Sequence, residues 1–180
     1  WSKDAFLQEV SKIPGVYVPS FYTHEYAEDG TLASVTALHD APKVVTKRII
    51  DNLDTVHYPQ AFVTPYIEVV HDRAVQEIFR GCIRGCRFCQ AGMVYRPVRE
   101  KTAEVLNQQA RCLYESTGYE EISLTSLSIS DYTELESLTN KLLSWTDENM
   151  ISLSLPSLRV DSFTKELMEK VASVRSSSLT

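Results

Sequence analysis

Three cysteines, Cys82, Cys86 and Cys89, lie within one short, glycine-containing stretch of the sequence. Their spacing, Cys-x3-Cys-x2-Cys, puts three thiolates on one loop, and three thiolates can hold three irons of a [4Fe–4S] cluster. The fourth iron then has no protein ligand and can bind a small molecule. Gly81 and Gly85 stand beside the ligands, and we expect both to supply backbone angles that a Cβ atom resists. The pattern therefore predicts an iron–sulfur site with one open coordination position.

Two other uses of these thiols are compatible with the sequence. A zinc-binding module needs four closed ligands, and His71 is a candidate for the fourth. A non-catalytic iron–sulfur electron carrier needs a fourth cysteine, but Cys112 falls on a predicted helix, where a buried inert thiol is expected. Disulfides are disfavoured because three of the four cysteines lie within eight residues and no secretory signal is visible. We therefore expect a reducing, cytoplasmic location.

The charge of the chain is unevenly distributed. With 43% hydrophobic and 23% charged residues, the composition is that of a globular protein, and the net charge of −6 disfavours a general nucleic-acid-binding surface. Residues 72–101, in contrast, hold seven Lys or Arg against three acidic residues. This cationic segment suits an anionic cluster and a carboxylate-bearing ligand, although a solvated basic face explains it equally well. No apolar run approaches the roughly 20 residues of a membrane span.

Strands and helices alternate along the part of the chain that must position the cysteines. Asp131 and Glu134 form a capping box at the start of one of these helices. The alternation predicts an α/β fold with a parallel sheet, in which chemistry lies on the loops after the carboxyl ends of the strands. We therefore expect three such loops, 82–99, 126–130 and 156–161, to form one site. Strands are predicted at 67–70, 74–79, 121–125 and 150–155, and helices at 102–117, from 131 onward and at 163–174.

The first 65 residues are predicted to be a mixed arm or linker subdomain that leads into a core at 66–180. A short helix is expected at 2–12, and extended segments at 16–38 surround an Asp29-Gly30 turn. A further β-branched run at 44–50 indicates another extended segment. The chain starts without methionine and stops where another apolar segment begins, so we expect it to be a piece of a longer protein.

The motif Cys82-x3-Cys86-x-Phe88-Cys89, placed after a strand of a βα repeat, resembles the signature of the radical S-adenosylmethionine (radical SAM) enzymes. The flanking sequence resembles a bacterial subgroup whose members usually carry a cobalamin-binding-like domain upstream. This resemblance implies the N-terminal half of a partial (β/α)6 TIM-like barrel with a mixed N-terminal arm. It also implies a [4Fe–4S] cluster on the three cysteines, S-adenosylmethionine on the open iron, and cobalamin as a further cofactor of the longer protein.

The resemblance also implies a reaction and a set of ligand contacts. The cluster would cleave S-adenosylmethionine reductively to methionine and a 5′-deoxyadenosyl radical, which abstracts hydrogen from an unidentified substrate. Phe88 is expected near the adenine. Ser126 and Ser128 stand where the family has a Gly-Gly-Glu-type contact with the methionine amine, although the sequence here is Thr-Ser-Leu-Ser. By position alone, Arg159, which follows the strand predicted at 150–155, is also expected to reach this cavity.

The partners of such an enzyme follow from the same resemblance. An electron donor such as flavodoxin or ferredoxin is implied, and no membrane contact is expected. A family core uses about six βα units, whereas this sequence predicts three and the start of a fourth. We therefore expect the isolated chain to be inactive, and the unpaired edge of its sheet to invite self-association.

Overall fold

The computed structural model describes residues 2–67 and 69–159, together with the helical residues 165, 169 and 171. The chain divides into two compact units, Trp1–Ile50 and Asp51–Thr180. The predicted boundary between arm and core, at 65/66, falls within the second unit, and the domain assignment stays a prediction. The helix predicted at 163–174 lies outside the described residues, apart from the three positions named above. Over the part of the chain that is described, no helix combines the length and apolar character needed to cross a membrane.

The first unit contains a helix and a two-stranded antiparallel hairpin, both predicted from the sequence. Asp29 folds the hairpin turn, because its carboxylate accepts a hydrogen bond from the Thr31 backbone N–H at 2.9 Å. The β-branched run at 44–50, expected to be an extended segment, pairs with no described strand. A strand needs a neighbour to pair with, and the two described strands of this unit pair with each other. The elements are α1 (Lys3–Ser11), β1 (Tyr22–Tyr26) and β2 (Leu32–Ala37).

Within the described residues, the second unit is organised by a parallel sheet of three strands, Ala74–Glu77 (β3), Glu121–Thr125 (β6) and Ser152–Ser154 (β7), which lie side by side in that order. A short antiparallel pair is formed by Phe79–Arg80 (β4), which follows β3 along the chain, and Arg99–Glu100 (β5). The described residues of the segment 67–70, which is predicted to be a strand, form none, and their side chains are exposed, Val70 most of all. The strands of this unit are β3 (Ala74–Glu77), β4 (Phe79–Arg80), β5 (Arg99–Glu100), β6 (Glu121–Thr125) and β7 (Ser152–Ser154).

Three helices whose bounds lie within the described residues accompany the sheet, and two of them bury one apolar face each. These two match the helices predicted at 102–117 and after 131, and their apolar stripes face the same core. Burying each such side chain stabilises the fold by roughly 1.5–3 kcal/mol. The helices are α2 (Ala91–Val94), α3 (Ala103–Thr117) and α4 (Leu135–Thr146). The fully buried side chains of the core include Leu106 and Ala110 of α3, Leu138 and Leu142 of α4, and Ile122 and Leu124 of β6.

The strand predicted at 74–79 changes its partner at Ile78. The Ile78 backbone N–H donates to the Thr125 carbonyl at 3.0 Å, and the Ile78 carbonyl accepts from the Lys101 N–H at 3.0 Å. Before this residue the chain pairs with β6, and after it the chain pairs with β5. The Ile78 side chain is fully buried, which fixes this point in the core. Because β4 and β5 flank the loop that carries the cysteines, their pairing holds the two ends of that loop together.

Helix α3 begins at a side-chain cap, since Thr102 Oγ1 accepts a hydrogen bond from the Val105 backbone N–H at 3.4 Å. Replacing Thr102 by alanine is expected to lower the free energy of unfolding by about 1 kcal/mol, because this N–H then loses its partner. Thr102→Ser keeps the hydroxyl and is expected to retain most of the stability. Urea unfolding followed by circular dichroism measures both variants, and an equal loss in the two would contradict a capping role.

Candidate functional site

The cysteine-containing loop runs from residue 81 to residue 98, between β4 and β5, and includes α2. At its start Gly81 has a φ of +100°, and a Cβ there would lie 2.7 Å from the Tyr95 carbonyl oxygen and 2.9 Å from Val98 Cα. The two ends of the loop therefore pack backbone against backbone. Gly85 was expected to need the same freedom, but its φ is not positive and nothing lies within 4 Å of its Cβ position. That expectation is wrong, because the chain around Gly85 is open.

The three thiols of the loop are free and reach its surface to different degrees. Cys82 and Cys86 are half-buried and Cys89 is exposed. The Arg84 backbone N–H donates to Cys82 Sγ at 3.4 Å, and the Cys89 N–H donates to the Cys86 carbonyl at 3.0 Å, which makes a turn between two thiols. Across the described part of the chain, no three histidine, cysteine or carboxylate side chains converge closely enough to hold a metal ion. The assignment of the cluster ligands stays a prediction.

The three loops that follow the strands meet, as the parallel topology predicts. The guanidinium of Arg84, in the first loop, donates through Nε to both carboxylate oxygens of Asp131, directly after the second loop, at 3.0 and 3.2 Å. A further, shorter contact joins the Arg84 terminal nitrogen to the same carboxylate. The second loop is tied to the third, because Ser130 Oγ accepts a hydrogen bond from the Arg159 backbone N–H at 3.2 Å. Residues from all three loops therefore share one region.

Asp131 has a different role from the one predicted. It ends a 3-10 turn, Ile129–Asp131, and α4 begins four residues later at Leu135, with no side-chain hydrogen bond at its cap. The prediction of a capping box is wrong, because the Asp131 carboxylate is paired with Arg84. The Asp131 side chain is only 5% exposed. The hydrogen bonds from Arg84 hold the pKa of this carboxyl below its usual range, and the charge of Arg159 acts in the same direction.

Glu134, the other half of the predicted box, serves a different helix. Its Oε2 accepts a hydrogen bond from the Ala103 backbone N–H at 2.7 Å, at the first residue of α3. A carboxylate at this position also interacts favourably with the positive end of the helix dipole. The residue types of a capping box are present, but tertiary contacts direct both side chains elsewhere.

Two predicted contact residues carry buried hydroxyls with unused hydrogen-bonding capacity. Ser126 Oγ, just after β6, is buried and has no hydrogen-bond partner within the described residues. The Ser128 hydroxyl is also buried and lies near the Asp131 carboxylate, without a hydrogen bond of normal geometry. A buried hydroxyl without a partner costs free energy, so such groups commonly meet a ligand or an ordered water.

The remaining predicted site residues are placed as follows. The Phe88 ring is 94% exposed, so it belongs to no core in this structure. Arg159 joins the meeting point of the loops through its backbone, as described above. His71, the candidate fourth zinc ligand, precedes β3, and its Nδ1 lies 3.1 Å from an Arg73 terminal nitrogen. It therefore stands at the amino end of the sheet, whereas the cysteines follow the carboxyl ends. Arg84 was missed as a site residue, although its place between two cysteines was a usable signal.

These features define an α/β protein that presents three free thiols on a loop after the carboxyl end of a strand. Residues 77–179, more than half of the chain, match the Radical SAM superfamily. The chain belongs to this superfamily, which confirms the family resemblance carried by the cysteine motif. Proteins of the superfamily generally use a [4Fe–4S] cluster and S-adenosylmethionine.

An uncharacterized protein of Methanocaldococcus jannaschii is 34% identical to this chain over 92 residues. The alignment covers 51% of this chain and 20% of the relative's length. The chain thus spans a small part of the relative, and the activity, substrate and partners of a whole protein are proposals.

Proposed function

We propose that this protein is a radical SAM enzyme whose [4Fe–4S] cluster is held by Cys82, Cys86 and Cys89. The observation that carries the proposal is the place of the three free thiols: they lie on a βα loop that is bonded to the second loop, and the second loop is bonded in turn to the third. The reaction class also rests on the match of residues 77–179 to the superfamily. The coarse fold agrees with this function, and we infer that the described strands belong to the N-terminal half of a partial (β/α)6 barrel.

The donor set fits the cluster chemically. Three thiols can serve three irons, and a fourth cysteine, Cys112, lies on α3 outside the loop. The Arg84 N–H that points at Cys82 Sγ is the kind of donor that stabilises a thiolate ligand and tunes a cluster. When bound, the cluster and S-adenosylmethionine supply reductive cleavage of a sulfonium and hydrogen abstraction from a substrate.

The chain's own residues would then bind and orient the ligand. We assign Ser126 and Ser128 to the amino and carboxylate groups of its methionine part, because their buried hydroxyls have unused hydrogen-bonding capacity. Arg159, on the third loop, is held by Ser130 of the second loop and would add positive charge beside them. The exposed ring of Phe88 offers a face on which a purine can stack and so be shielded from water.

The proposal extends to partners in three ways. Reductive cleavage needs one electron from outside, so we propose a donor of the flavodoxin or ferredoxin class and a reducing, cytoplasmic setting that keeps the thiols free. Cobalamin, supplied by an upstream domain, remains part of the proposal for a longer protein. Among the described strands β3 and β7 are the edges of the sheet, which supports the proposal that the isolated chain self-associates.

Anaerobic reconstitution with iron and sulfide, followed by electron paramagnetic resonance, tests the proposed function in the full-length protein. We expect a reduced [4Fe–4S] signal whose shape changes when S-adenosylmethionine is added, because the ligand binds the open iron. A cluster that is indifferent to the ligand would assign the protein to the iron–sulfur electron carriers instead. Stoichiometric zinc in place of a cluster would assign it to the zinc-binding modules.

A further inference from the structure

We infer that the Arg84–Asp131 ion pair is a positioning device that anchors the cysteine loop and sets the reduction potential of the cluster. The part of this inference that concerns the cluster rests on the proposed function. The part that concerns the loop rests only on the contacts of the described residues, and it is tested separately below.

The main chain of Arg84 makes close contacts through both its N–H and its carbonyl group. Its N–H donates to Cys82 Sγ at 3.4 Å. Its carbonyl oxygen lies so close to Gly92 that a Cβ on that glycine would be 2.5 Å away. Gly92 belongs to α2, on the far side of the other two cysteines. The peptide of Arg84 therefore links the first thiol of the motif to the helix that follows the last one.

The Arg84 side chain is bound to Asp131, which is itself held firmly in the second unit. Asp131 is nearly buried, and the two-pronged contact with a guanidinium has the geometry of a strong charge-assisted pair. Its own segment is firm, because the Asp131 N–H donates to the Ser128 carbonyl at 2.9 Å and Ile129 is fully buried in the core. The cysteine loop is thus tied, two residues after its first cysteine, to a buried carboxylate of the second unit.

Two effects follow if this anchor is removed. The Arg84 N–H is no longer held toward Cys82 Sγ, so that thiol becomes more accessible to solvent and reagents. In addition, the guanidinium loses the carboxylate that neutralises it. A cluster gains negative charge on reduction, and an uncompensated cation near it favours the reduced form. We expect neither effect at Cys112 on α3, because no contact between described residues joins Cys112 to Arg84 or Asp131.

Thiol alkylation in the cluster-free protein tests the anchoring. In Asp131→Asn we expect Cys82 to react about tenfold faster with iodoacetamide, as the loss of one charge-assisted contact allows, while Cys112 is unchanged. Glu104→Gln removes the exposed Lys141–Glu104 pair and serves as the matched control, with no expected change at Cys82. An unchanged Cys82 rate in Asp131→Asn would overturn the anchoring, and so would equal acceleration of Cys82 and Cys112.

A redox titration monitored by electron paramagnetic resonance tests the effect on the cluster. We expect Asp131→Asn to raise the midpoint potential, and Arg84→Lys, which keeps the charge but not the planar fork, to raise it less. A potential equal to that of the wild type in Asp131→Asn would overturn the role in setting the potential. If the wild-type protein assembles no cluster, the proposed function fails, and the alkylation rates still decide whether Arg84 and Asp131 anchor the loop.

Discussion

Replacing Cys86 by alanine is expected to abolish the [4Fe–4S] cluster of the full-length protein. Only two thiolates of the motif, Cys82 and Cys89, then remain on the loop, and two cannot hold three irons of a cube. The turn at Cys86, in which its backbone carbonyl accepts the Cys89 N–H at 3.0 Å, is retained by alanine, so the substitution removes one ligand and leaves the spacing of the other two. Iron and sulfide content per chain and the intensity of the reduced signal measure the loss.

Cys112→Ala is the matched control for this experiment. Cys112 lies on α3, a helix in which alanine is favoured, so the substitution removes a thiol with little change in the helix. We expect full iron and sulfide content and an unchanged response to S-adenosylmethionine. Equal loss of the cluster in Cys86→Ala and Cys112→Ala would reject the assignment of three ligands, because a fourth cysteine would then be required.

The features that the sequence predicts well are those that depend on neighbours along the chain. The spacing of the cysteines is a local chemical pattern, and it led to the superfamily that residues 77–179 match. The periodicity of Leu138 and Leu142 predicted the buried face of α4 in the same way. Because strands and helices alternate, the parallel order of the sheet and the meeting of three loops at one end also followed.

The features that the sequence missed depend on partners far along the chain. The apolar run at 44–50 has the residue types of a strand, but a strand exists only where a neighbour completes its hydrogen bonds. Asp131 and Glu134 have the spacing of a capping box, but an arginine 47 residues away pairs with the first of them. A local motif yields to a tertiary contact when that contact offers a full charge to a nearly buried carboxylate.

Gly81→Ala is expected to lower the free energy of unfolding of the second unit by about 3 kcal/mol or more. A side chain at a φ of +100° is strained, which costs about 1–3 kcal/mol. The added Cβ also overlaps the Tyr95 carbonyl oxygen and Val98 Cα, at 2.7 and 2.9 Å, and overpacking costs a further 1–3 kcal/mol or so. Both contacts are with backbone atoms, so no side chain can rotate away to relieve them. The two ends of the cysteine loop, at Gly81 and at residues 95–98, must therefore move apart.

Gly85→Ala separates this strain from a general intolerance of the loop to alanine. It lies in the same loop, four residues on, with nothing within 4 Å of its Cβ position and no positive φ. We expect it to be neutral or to stabilise by up to about 1 kcal/mol, since alanine restricts the unfolded chain. Urea unfolding of both variants makes the comparison. An equal fall in the free energy of unfolding in both variants would show that the loop tolerates no added side chain. The close approach of Gly81 to the backbone of residues 95–98 would then not be the reason for glycine at that position.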